Sequence, residues 1–307
     1  MMKAAAGNRG RPGWRSLLPV SCLTVVGALL LFSGRALPVV AAAGTAANTA
    51  IRDVQRARVL VELRGWPHRT VPRLTVYYAP GLARDARVVA SAAETYWPEV
   101  MRDYGLGAST PRAVLVVVTP SQMTRFVGGA STDPPLGAYY QGVDWLLAPS
   151  AFLPSGSRLT AAYAQSGPVA HELTHMADAL LSGGRTPRWL DEGLAQYEDW
   201  RLTGYVWVQA GNGFNGGVYS WAALTQHFDN LPDMALAYRQ ALAATAAICR
   251  TGAGTCTRIL AELRAGEPVE QALQRAVGSI RLRALQTGAA WQPGEAPQPG
   301  TPAGPRP

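Results

Sequence analysis

Lysine is almost missing from this 307-residue chain: Lys3 is the single one among 28 basic residues. The others are arginines, a bias that reflects genome composition rather than chemistry. No segment interleaves basic and aromatic residues into a stripe, which excludes a nucleic-acid footprint. Residues 1–43 hold five basic residues and no acid, so the formal charge of +8 is uneven. The remainder carries 23 basic against 20 acidic residues, only +3. No apolar run reaches the ~20 residues of a comfortable membrane span, and the one from Leu17 to Phe32 falls short. Cysteine is scarce, with three, and no pair is spaced as Cys-x-x-Cys, which excludes a zinc knuckle. No internal repeat is present, which excludes a solenoid. Histidine is scarce too, with four, and two of those four fall in one pentapeptide.

That pentapeptide lies in Pro168-Val-Ala-His171-Glu172-Leu-Thr-His175-Met-Ala-Asp178 and reads His-Glu-x-x-His. Residues four apart on an α-helix share a face, one turn apart. His171 and His175 can therefore present two imidazoles to one ion, and neutral imidazole suits Zn²⁺. Glu172 projects beside the ion, where it can take a proton from a water. The local sequence predicts a helix, with Ser166 as cap, Pro168 in the first turn and Gly183-Gly184 as its end.

A second block follows: Thr186-Pro187-Arg188-Trp189-Leu190-Asp191-Glu192-Gly193-Leu194-Ala195. Thr186 as N-cap and Pro187 in the first turn predict another helix. A short turn between the two lets them fold back antiparallel and returns Glu192 to the histidines. Its carboxylate is then a third ligand, leaving one position open, as a catalytic zinc site requires. Trp189, Leu190, Leu194 and Ala195 should bury this helix. Asp178 and Asp191 are the candidates for orienting the ligand imidazoles.

His171-Glu-Leu-Thr-His175 followed by Trp189-Leu-Asp-Glu192-Gly-Leu-Ala resembles the gluzincin metallopeptidases, and among them the bacterial peptidase MA-like domain proteins. The resemblance covers about residues 73–285. It implies one Zn²⁺ per chain held by His171, His175 and Glu192, with Glu172 as general base and acid. It implies a peptide or protein substrate cut by endopeptidase action. The Gly-x-Met-Glu-Asn motif with which M1 aminopeptidases bind a free amine is absent here. It also implies an oxyanion-stabilising Tyr or His from the C-terminal part, for which Tyr219, His227 and Tyr205 are available and Tyr219 is chosen. The other class to weigh is a catalytically silent peptidase-like binding protein at the cell surface.

The rest of the chain supplies a framework. Arg73–Tyr78 alternates as a strand, and Ala113–Val118 is a continuous apolar run, read as a buried central strand. Ala86–Tyr104 has helical periodicity, with Pro98 expected to kink or divide it. Tyr139-Tyr140 and Val143–Leu147 read as a hairpin; in the resembling family the equivalent strand edges the cleft and binds extended peptide by strand addition. Helices are expected at Tyr219–Phe228, Ala235–Ala247, Arg258–Leu263 and Gly266–Gly278. Cys249 and Cys256 bracket a flexible loop and should form a disulfide in an oxidising compartment. His68, alone beside Pro67, reads as a surface residue.

The fold class expected is α+β, a zincin-like two-lobe fold with an N-terminal mixed sheet, an active-site helix and a helical C-terminal lobe. The expected divisions are a signal peptide or membrane anchor at 1–43, a lead-in at 44–72, the catalytic domain at 73–286 and a disordered Pro/Gly-rich tail at 287–307. A basic start, an apolar run and small residues near Ala41–Ala43 read as a cleaved leader, with membrane attachment as the alternative. Both place the chain outside the cytoplasm of a bacterium.

Overall fold

The structure, a computed structural model, describes residues 36–128, 133–206 and 217–287, with side chains from residue 43 onward. The expected leader up to residue 35, residues 129–132 and 207–216 of two loops, and the C-terminal tail from 288 lie outside the described residues.

The architecture is α+β, built on one mixed five-stranded sheet. Its strands are β1 (His68–Val71), β2 (Leu74–Tyr78), β3 (Ala113–Val118), β4 (Gly137–Tyr140) and β5 (Val143–Leu147), in the order β1-β2-β3-β5-β4. β2, β3 and β5 run parallel, while β1 and β4 pair antiparallel at the two edges. β3 is buried at all six positions, as a strand covered on both faces must be. Ala113, Leu115 and Val117 face one core; Val114, Val116 and Val118 face another. β4 and β5 are joined through Gln141 and Gly142, both at positive φ, the conformation a two-residue hairpin turn demands.

Eleven α-helices surround the sheet among the described residues. α1 (Ala36–Glu62) covers the second core through Val59 and, just beyond its end, Leu63. α2 (Ala83–Asp103) lies on the opposite face, and α3 (Pro120–Phe126) adds Met123 to the second core. α4 (Leu159–Ser166) leads into α5 (Val169–Ser182), which carries the pentapeptide, and α6 (Arg188–Thr203) carries the second block. The chain after β5 is helical: α7 (Trp221–His227), α8 (Met234–Cys249), α9 (Thr255–Arg264), α10 (Val269–Val277) and α11 (Ser279–Gln286). α5 packs on α2 and β4, α6 on α5, and α8 on α6, so the site helices sit between sheet and helical layers.

Several local expectations need correction. Pro98 does not divide α2, which continues through it. Pro98 and Glu94, whose carbonyl loses its helical partner, both lie on the exposed side of the helix. Ser166 does not cap α5; it closes α4 and donates to the Ala162 carbonyl at 3.0 Å. Thr186 does not cap α6 either, since Pro187 holds that position and the Thr186 hydroxyl donates to Asp178. α4 itself had no expectation: its apolar pattern is too short to stand out. The stretch 44–72 is ordered structure, helix through Glu62 and then an edge strand. Thr45 donates to the Arg264 carbonyl, Asn48 to that of Gly183 and Arg52 to that of Ala179.

Candidate metal centre

α5 is an amphipathic helix whose Val169, Ala170, Leu173 and Ala177 are buried in the large core. That places His171 and His175 on the face turned toward α6. The helix stops at Gly183, in the left-handed conformation at φ 67°, which glycine adopts without a Cβ clash. The chain then reverses into α6. Here a second glycine acts by size: a Cβ on Gly193 would lie 2.2 Å from Thr245 Oγ1 and 2.6 Å from the Ala241 carbonyl oxygen. The close approach of α6 to α8 seats Glu192, 3 % exposed, against the histidines.

The three expected ligands converge. Their donor atoms lie within 4.8 Å of one another. Glu192 Oε2 is 3.3 Å from His171 Nε2 and 3.8 Å from His175 Nε2. Zinc bonds of about 2.0–2.1 Å place tetrahedral ligands roughly 3.4 Å apart, so the set fits such an ion. Glu192 Oε2 is buried and makes no hydrogen bond, as a ligand atom should. The other oxygen, Oε1, is 2.6 Å from Arg188 Nη2.

Each imidazole is oriented from behind. His175 Nδ1 is 2.6 Å from Asp191 Oδ1, and His171 Nδ1 is 3.0 Å from Asp199 Oδ2. These bonds leave both Nε2 atoms facing Glu192, the arrangement that fixes a ligand tautomer. Of the two orienting aspartates expected, Asp191 serves and Asp178 does not: Asp178 accepts the Thr186 hydroxyl at 2.6 Å. Asp199 was missed. It lies seven residues after Glu192, two turns along the same helix face, and that spacing was the available signal.

Electrostatics agree with the geometry in the ion-free chain. Burial opposes the Glu192 charge, but His175, His171 and Arg188 outweigh it and hold the carboxyl at about 2. Burial likewise opposes the charge of His175, yet Asp191 and Glu192 hold it up at about 9. His171 is also raised, its burial outweighed by Asp199 and Glu192. Glu172 is pushed up by burial, with His171 and His175 pulling the other way. It is 3 % exposed, and its Oε2 has no hydrogen-bond partner.

Glu172 borders two adjoining cavities, which also share His171, Gly137 and Tyr238. The one reaching Tyr205 and Asp199 encloses about 250 Å³. Gly137 is a necessary glycine, because a Cβ there would lie 2.5 Å from Glu172 Oε1. Tyr219 does not reach this space. Its hydroxyl accepts from the Asp233 N–H at 2.7 Å, and its backbone is clasped by Gln240. His227 ends α7 on the exposed surface. Tyr205 lines the smaller cavity. Tyr238, missed earlier, lines both, and burial followed by the Glu192 charge pushes its phenol up. His68 is exposed beside Tyr77, as expected. Cys249 and Cys256 form a disulfide at the α8–α9 turn. No protein-family model matches the chain, and no curated protein matches it.

Proposed function

We propose that this chain is a zinc-dependent peptidase of gluzincin type, with a zincin-like fold, acting outside the cytoplasm. The observation that carries the reading is the convergence of His171, His175 and Glu192 beside a buried Glu172, with each imidazole backed by its own aspartate. His171, His175 and Glu192 would hold the ion, which when bound polarises a carbonyl and lowers the pKa of water to about 7. Glu172 accepts the proton of the attacking water and returns it to the leaving amine. Asp191 and Asp199 each accept from Nδ1 of an imidazole and so keep its Nε2 pointed inward, where an ion would displace the proton. Tyr238, which lines both cavities, takes the place of Tyr219 in this reading as the donor to an oxyanion.

One feature supports a peptide as substrate and another the compartment. β4 is the sheet edge, and Leu136 and Gly137 at its start line the cavity. An extended chain laid along that edge would gain backbone hydrogen bonds as an added strand. The disulfide supports an oxidising compartment. One zinc per chain, with cleavage of a peptide library abolished in Glu172→Gln while zinc remains, is the expected result. Protein that takes up no zinc sinks the reading. Zinc without cleavage in either protein favours the silent binding protein instead.

A further inference from the structure

α1 is held to the body by one face and leaves the other uncovered. Thr45, Asn48, Arg52 and Arg56 each donate a side-chain hydrogen bond to a distant carbonyl, and Val59 is buried in the second core. These five recur every three or four residues, so they mark one side of the helix. On the opposite side lie Ala43, Ala47, Ala50, Val54, Ala57 and Val61, all exposed. Val54 is 61 % exposed, Val61 54 %, and Ile51 beside them 56 %. A continuous apolar line that includes aliphatics this exposed marks a contact with something outside the chain.

The line advances by alternate steps of four and three without a break, the heptad spacing with which two helices pack seam to seam. In the sequence the same steps continue back to Val40 and Ala36, where the helix begins. With Ala47, Val54 and Val61 at heptad position a, Ala43, Ala50 and Ala57 fall at d. Valine at a is β-branched and suits two parallel strands; alanine at d lets the helix axes come close. The edges carry charge: Asp53 stands at g and Arg58, five residues on, at e, and both are exposed. In a parallel pair, g of one helix faces e of the next heptad on the other. Asp53 then meets Arg58 of the second copy, and two-fold symmetry makes that pair twice. An antiparallel pair sets g against g and e against e, which offers Asp53 no arginine. A lipid surface would favour basic edges alone. Because α1 is already folded and anchored, pairing it orders no further chain.

We propose that α1 is a dimerisation helix, whose free face pairs in parallel and in register with the same face of a second copy of this chain. The pairing does not depend on the peptidase reading. Sedimentation equilibrium of the full chain should show the mass rising from 32.6 kDa toward twice that value with concentration. Val54→Glu sets two carboxylates against each other in the seam and should raise the dissociation constant by roughly 100-fold. Its dilute, monomeric form should unfold at the parent temperature, because the position is exposed. Asp53→Arg should weaken pairing by roughly 10-fold, and adding Arg58→Asp should bring it back to within a few-fold of the parent. Ala57→Cys, made with Cys22→Ser, should cross-link two chains on mild oxidation, as only a parallel, in-register pair allows. A chain that stays monomeric at every concentration overturns the proposal, as does association untouched by Val54→Glu or a charge swap that restores nothing. Anionic vesicles that bind the monomer and release Val54→Glu also overturn it and assign the face to lipid.

Discussion

At the candidate metal centre each histidine engages an aspartate with one nitrogen and turns the other toward Glu192. Asp199→Asn would keep the shape of this contact and weaken the acceptor behind His171. The expected outcome is a 10–100-fold loss in zinc affinity, read by competition with a chelating dye, together with a lower unfolding temperature of the ion-free protein, in which His171 loses its charged partner. Proton release offers a second check. In the ion-free chain His175 is held at about 9 against an ordinary 6.5. Its charged form stabilises the fold fully below pH ~6.5, and that contribution is lost as the pH rises through about 9. An ion accepts only the neutral ring. His171, raised in the same direction, behaves alike. Zinc binding at pH 7 should therefore release about two protons, and affinity should climb between pH 7 and 9. Calorimetry in buffers of different ionisation enthalpy counts those protons; release of none contradicts the assignment.

The elements meet at contacts where one atom matters. Gly193→Ala would force α6 from α8, because the new Cβ falls on the Ala241 backbone, which cannot swing aside as a side-chain tip could. A loss of about 1–3 kcal/mol of stability is expected, read by denaturant unfolding, together with weaker zinc binding as Glu192 shifts. The reach of sequence reasoning follows the same distinction. The His-Glu-x-x-His spacing is local, and helix geometry alone puts its two imidazoles together. Glu192 was legible because Gly183-Gly184 and Pro187 punctuate the chain where it must reverse. Tyr219 precedes α7 and Tyr238 lies on α8, and which of them reaches the site is decided by how those segments pack on α6, a tertiary fact with no local signature. β3 was recognisable because a strand buried on both faces needs apolar residues at every position.

In the molecule as a whole, α1 joins parts that are distant in sequence. It was unreadable because alanines dilute its apolar stripe, and its anchoring residues are the polar Thr45, Asn48 and Arg52. Asn48 and Arg52 satisfy carbonyls at the C-terminal end of α5, where intrahelical donors run out. Replacing both by alanine should cost about 1 kcal/mol for each bond, read as a lower melting temperature. Hydrogen exchange should quicken in the last turn of α5 before it does in the sheet. Lower down, Val59 and the following Leu63 hold the same helix to the underside of the sheet. This route also determines how the fold carries mechanical load. Tension applied to the chain from its amino-terminal side enters through α1 and passes through Thr45 to Arg264 at the end of α9 and through Asn48 and Arg52 to the last turns of α5. A protein held by that end would feel drag in α9 and in the helix bearing its two imidazoles before it reached the strands beneath.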